Sequence, residues 1–194
     1  MTHLLRVLAI LALWAAPAVA DDSRGPRSAM NFEMSSHRAL ERVRASEDGA
    51  LAPFTTDGCS GGLSSVWTVV VDRFPGFASV HGNIPPWEAC CIDHDRVYHS
   101  AGMTADAQAS FEARLLADEA LKLCVVETGE RRLAEIAGVY NVEETSVREA
   151  YRAISNALFI AVRFGGAPCS GLPWRWGYGF PDCYVTPKDL LGKP

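Results

Sequence analysis

Cys90-Cys91-Ile92-Asp93-His94-Asp95 sets a base, a cation ligand and two potential crosslinks within six residues. A candidate general base and a carboxylate suited to a hard cation stand side by side. Two cysteines lie one helical turn upstream. If the stretch is helical, Cys90, His94 and Val97 share one face, at spacings of four and three, with Tyr98 on its flank. That face needs a partner for the histidine and a partner for the first cysteine.

Both are available a short distance downstream. Pro86 suits the first turn of a helix carrying the motif, and Gly102 ends it. Thr104 can cap a second helix running to about Val126. The connector is short, so the two helices should be antiparallel neighbours. In such a pair, facing positions have a nearly constant sum. That sum is 214 for Cys90 with Cys124 and for Val97 with Ala117, and 212 for His94 with Asp118. One register therefore permits a Cys90–Cys124 bridge and a His94–Asp118 contact together. Asp106 competes as a partner, but it sits near the helix start, where an acid is expected for other reasons. Cys91 faces elsewhere, and Cys59 is its nearest unassigned partner. Cys169 and Cys183 are left as a local bridge.

The ends of the chain set the context for this pairing. Arg6, the apolar run Val7–Ala16 and Ala18-Val19-Ala20 have the layout of a secretory signal peptide over residues 1–20, cleaved after Ala20. The run is too short to span a bilayer, which takes about 20 residues. All six cysteines lie beyond it, and export permits disulfides. The expected location is secreted or periplasmic. Zinc is the other use of such residues, through Cys90, Cys91 and His94, but adjacent cysteines chelate zinc poorly compared with a C-x2-C spacing. The net charge of −5 and the lack of a Lys/Arg cluster argue against nucleic acid as a partner.

The remaining chain reads as mainly α with a loop-rich front third. Residues 21–51 form an N-terminal segment, polar and mobile over Asp21–Ala29, with a short helix expected over Ser35–Glu47. Residues 52–194 make the main domain. Ala52–Pro86 is rich in glycine and proline, with a short apolar strand or loop at Val66–Val71. Further helices are expected over Glu130–Tyr140 and Glu143–Arg163, the second acidic at its start and basic at its end, before Gly165-Gly166. The tail from Pro168 carries Trp174, Trp176, Tyr178 and Phe180. These could dock on lipid or cover the core, and packing is the preferred reading. His37, His81 and His99 have no evident partner and read as surface residues.

The motif residues resemble the secreted phospholipase A2 superfamily, whose signature is Cys-Cys-x-x-His-Asp, here Cys90–Asp95. The family places a Tyr four after the His, matched by Tyr98. It places an Asp six before a Cys on the antiparallel helix, matched by Asp118 and Cys124. Its Gly-rich calcium loop surrounds a Cys bridged to the second Cys of the pair, matched by Asp57-Gly58-Cys59-Ser60-Gly61-Gly62. The matched segments span residues 54–126. The short connector, without a β-wing, looks closest to the group XII type and bacterial relatives. The family's cysteines three after the His and just before the Asp are here Val97 and Ala117, which the register sets opposite each other. Both halves of one bridge are thus missing together. The usual Cys-Gly-x-Gly-Gly loop reads Cys59-Ser60-Gly61-Gly62-Leu63, and thirty residues lie between Cys59 and Cys90.

The resemblance implies a disulfide-linked antiparallel helix pair with a Gly-rich calcium loop, a further long helix and an irregular C-terminal tail. It implies Ca2+ held by Asp95 and by the carbonyls of Gly58, Ser60 and Gly62. It implies His94 as general base on water, with Asp118 orienting the ring and Tyr98 bonded to Asp118. The expected activity is calcium-dependent hydrolysis of a glycerophospholipid ester by a monomer, with a membrane or micelle interface as partner. A catalytically inactive binding or toxin-like module of the same fold is the first alternative. A serine esterase using Ser60 is the second, because Gly58–Gly62 matches G-x-S-x-G. That motif needs a strand before it and a helix after it inside a parallel sheet, and the sequence shows no βαβ series.

Overall fold

The computed structural model describes residues 24–60 and 84–191. The expected signal peptide, Val66–Val71, His81 and the loop from Gly61 onward, including Gly62, lie outside the described residues. Among the described residues there are six α-helices and no strand: α1 Arg24–Arg44, α2 Glu88–His99, α3 Ala107–Arg131, α4 Leu133–Tyr140, α5 Glu144–Gly165 and α6 Pro187–Leu190. Short 3-10 turns occupy Gly58–Ser60 and Ala101–Met103. No helix among the described residues is long and apolar enough to cross a membrane.

α3 is the central element. Its start is set by Asp106, not Thr104: Asp106 adopts extended backbone and its Oδ1 accepts from the Ala109 N–H at 2.8 Å. Thr104 instead donates its hydroxyl to the Ala101 carbonyl. The helix then runs one turn past the expected stop at Val126, because no proline interrupts it and Gly129 is held inside it. Tyr151 of α5 presses on that glycine, with its Cγ 2.4 Å from where a Cβ would stand. α4 ends on Asn141 in the left-handed region (φ 50°), and the Val142 N–H reaches back to the Ala137 carbonyl. That six-to-one bond is the usual helix-ending device of an αL residue.

α2 and α3 run in opposite directions, since Cys90 meets Cys124 at one end and Tyr98 meets Arg114 at the other. Three disulfides are present: Cys59–Cys91, Cys90–Cys124 and Cys169–Cys183. The first ties the Gly58–Ser60 turn to α2; the second ties α2 to α3. Among the described residues two apolar cores result. One gathers Leu121, Val125, Ile136, Val147, Tyr151 and Leu158 around the first two bridges. The other gathers Leu40, Tyr98, Ala117, Trp176 and Phe180 beside the tail.

α1 is longer at its start than the Ser35–Glu47 segment expected from sequence, and its early residues, read as mobile, are helical. It packs against α3 and α6. His37 is correspondingly not a surface residue but fully buried. His99 is buried as well, edge-on to Phe54 and Tyr178. The tail covers the core as expected. Trp176 is fully buried, and the N–H groups of Gly177 and Gly179 cap the Tyr98 and His99 carbonyls at the end of α2, at 2.7 and 3.1 Å.

Candidate functional site

α2 and α3 bring His94, Tyr98 and Asp118 into one hydrogen-bonded group. His94 Nε2 lies 2.9 Å from Asp118 Oδ1. A carboxylate only accepts, so Nε2 carries the proton and the lone pair is left on Nδ1. The Tyr98 hydroxyl donates to the same Oδ1 at 2.6 Å. The rings of His94 and Tyr98 lie with centroids 4.1 Å apart, which limits rotation of the imidazole. Asp118 is fully buried, and burial of a carboxylate is tolerated only when its oxygens are well bonded.

Two arginines that the sequence reading did not single out complete that requirement. Arg163, near the end of α5, donates to Asp118 Oδ2 at 3.0 Å. Arg114, one turn before Asp118 on α3, donates from Nε to the Tyr98 hydroxyl at 3.1 Å and from NH2 to the Val162 and Arg163 carbonyls. Both guanidinium groups meet Glu33 of α1: Arg114 NH1 contacts Oε1, and Arg163 NH2 reaches Oε2 at 2.8 Å. Burial raises the Glu33 pKa, but the His37 bond and the charges of Arg114 and Arg163 outweigh it and hold the carboxyl down at about 2. Burial pushes the Tyr98 phenol well above its usual range, so it stays a donor. The i, i+4 spacing of Arg114 and Asp118 is the sequence signal that sets them on one face of α3. Arg163 and Glu33 reach the site from 45 positions beyond Asp118 and 81 before Arg114.

His94 opens onto a cleft. Its walls are Asp57, Gly58, Cys59, Cys91, Asp95, Leu121, Leu158, Val162 and Trp174. A second cleft shares Asp57, Asp95 and Trp174, and adds Thr55, Thr56, Pro173 and Tyr178. One side near the histidine is thus apolar and the other acidic. Asp95 Oδ2 accepts from the Thr56 hydroxyl at 2.6 Å, and Thr56 Oγ1 accepts from the Gly58 N–H at 2.9 Å. Burial pushes the Asp95 pKa up; Thr56 and His94 oppose this, Asp57 and Glu88 add to it, and the value is about 6.

The loop side is only partly in view. Gly58 sits at φ +67°, the left-handed region that favours glycine, and a Cβ there would displace the Glu88 carboxylate. The Cys59 N–H points at Glu88 Oε2 at 3.3 Å. Ser60 closes the 3-10 turn. Among the described residues no group of three or more His, Cys, Asp or Glu side chains is arranged to hold a metal. A cation here would draw on few carboxylates, Asp95 with Asp57 in the same clefts, and otherwise on backbone carbonyls of the loop. Oxygen donors of that kind suit calcium and not zinc. Asp106, the competing partner for His94, is occupied as the cap of α3.

Searched against protein-family models, curated proteins and solved structures, this chain matches none of them.

Proposed function

We propose that this chain hydrolyses a carboxylic ester of a glycerophospholipid in a calcium-dependent reaction, releasing fatty acid and lysophospholipid. The observation that carries the reading is the His94 Nε2–Asp118 bond, which leaves a basic Nδ1 on a ring lining an open cleft beside Asp95. His94 takes a proton from water, and the water oxygen attacks the ester carbonyl. Asp118 holds the tautomer and stabilises the imidazolium that forms. The imidazolium then gives its proton to the leaving glycerol oxygen. No residue is acylated. The apolar wall of Leu121, Leu158, Val162 and Trp174 borders the base and is the side on which an acyl chain would lie. Asp95 and the carbonyls of Gly58, Ser60 and Gly62 would hold the calcium ion. The ion would supply charge for the developing oxyanion and the phosphate. The resemblance suggests the sn-2 ester.

The test is release of acyl chains from phospholipid vesicles by wild type, His94→Gln and Asp95→Asn, each beside calorimetric calcium titration. Loss of release in both variants, with calcium binding lost only in Asp95→Asn, is expected. Undiminished release from His94→Gln overturns the reading. One observation favours an inactive binding module of the same fold: the thin side-chain ligand set around Asp95. Wild type with neither calcium binding nor hydrolysis would support it. Three disulfides are compatible with an exported protein, as either reading requires.

A further inference from the structure

We infer that Glu33 of α1 is a positioning residue for the His94–Asp118 pair, acting through Arg163 and Arg114. The activity arm of its test rests on the hydrolytic reading above; the spectroscopic arm does not.

Four charged groups from three helices form one closed set. Asp118 and Glu33 are the anions; Arg114 and Arg163 are the cations. Arg163 spans the two carboxylates, with NH1 on Asp118 Oδ2 at 3.0 Å and NH2 on Glu33 Oε2 at 2.8 Å. Arg114 spans Glu33 and the Tyr98 hydroxyl. The side chains of Arg114 and Asp118 are fully buried, and those of Glu33 and Arg163 are 12% and 20% exposed. Within so little water a side chain that bonds a cation on two sides fixes its geometry as well as its charge.

Glu33 is itself held on its far side. His37 Nε2 lies 3.2 Å from Glu33 Oε1, and His37 Nδ1 lies 2.8 Å from Ser110 Oγ. Ser110 also accepts from the Trp176 indole at 2.9 Å. A carboxylate braced by α3 and the tail thus sets the two arginines that set Asp118 and Tyr98. None of the four charged groups lines either cleft beside His94. Their influence falls on the orientation of the imidazole and on the charge it meets when protonated, not on substrate contact. With Glu33 neutral, the set carries a surplus positive charge that opposes an imidazolium.

The consequence is a split between kcat and KM. Glu33→Gln should lower kcat on phosphatidylcholine vesicles by about tenfold to a hundredfold, the range of a lost charge-assisted bond, with KM unchanged. Glu33→Asp, which keeps the charge, should recover part of that loss. Combined with Arg163→Gln, the Glu33→Gln loss should be clearly less than the product of the two single losses, because both act on one path. The second readout is the NMR signal of the His94 Nε2–H in its bond to Asp118. It should exchange slowly with solvent in wild type and faster in Glu33→Gln, with the fold retained by circular dichroism. Wild-type kcat and wild-type exchange in Glu33→Gln overturn the inference, as does a multiplicative double variant. If Glu33→Gln does not fold, Glu33→Asp decides, and an unaltered kcat and exchange rate there overturn it. A wild type that hydrolyses no phospholipid refutes the hydrolytic reading alone, and the exchange measurement still tests Glu33.

Discussion

Replacing Asp118 by Asn probes the centre of the molecule with almost no change in shape. The carboxylate accepts from His94 and Tyr98 on Oδ1 and from Arg163 on Oδ2. An amide has one accepting atom and one donating atom. If its oxygen faces His94 and Tyr98, its NH2 faces the guanidinium of Arg163; if it is flipped, the NH2 faces two donors. Either way a buried donor meets a donor, and Arg163 loses half of its countercharge. A buried hydrogen bond to a charged group is worth about 1.5–3 kcal/mol, and breaking a buried ion pair costs about 3–5 kcal/mol. Glu33 still neutralises Arg163 in part, so a loss of about 3 kcal/mol is expected. That is a large share of the roughly 5–15 kcal/mol that holds a domain together, yet it leaves the variant folded at 25 °C. The flipped amide would also favour the wrong imidazole tautomer. The cost in rate should then resemble that of amidating the carboxylate of a serine-protease triad, about ten-thousandfold. Urea unfolding followed by circular dichroism gives the first quantity, and acyl release in saturating calcium gives the second. An Asp118→Asn protein within tenfold of wild-type rate, or destabilised by less than about 1 kcal/mol, would refute this account of the buried pair.

Three further outcomes follow from the packing and the charges. Cys59→Ser with Cys91→Ser opens a loop of sequence separation 32, which should cost about 4 kcal/mol by loop entropy and release the Gly58–Ser60 turn from α2; unfolding midpoints with and without the bridge measure it. Gly129→Ala should destabilise by up to about 2 kcal/mol net, because Tyr151 is buried and the overpacking cost of about 1–3 kcal/mol exceeds the gain of about 1 kcal/mol in helix propensity; a higher melting temperature would contradict it. Glu33 has its pKa depressed from 4.5 to about 2, so its contribution is present above pH 4.5 and is lost as pH falls through 2. That contribution is about 3 kcal/mol, and the stability of wild type should fall more steeply than that of Glu33→Gln across this window.

Local spacing made the helical half of the site legible. Cys90, His94 and Val97 fix one face of α2, and the constant sum of facing positions leads to Cys124 and Asp118 without any knowledge of the rest. The tail's role as cover was the preferred of two readings, lipid docking being the other, and the full burial of Trp176 decides for packing there. What could not be read is the long-range charge set. Arg163 appeared only as the basic end of α5, where the helix dipole already accounts for it. Glu33 and His37 sit in a segment that is polar on average, and their burial comes from partners on α3, α5 and the tail. His37 reads as exposed until Ser110 is known to face it. The start of α3 was misplaced for a smaller reason: Thr104 and Asp106 are both good caps, and only backbone geometry chooses between them.

The most direct measurement is acyl release, resolved by chain position, from mixed phospholipid vesicles with calcium and with excess chelator. Fatty acid should leave the sn-2 position in calcium and cease in chelator. Full release in chelator would contradict the account of Asp95 and its loop. No release in either condition would contradict His94 as a hydrolytic base.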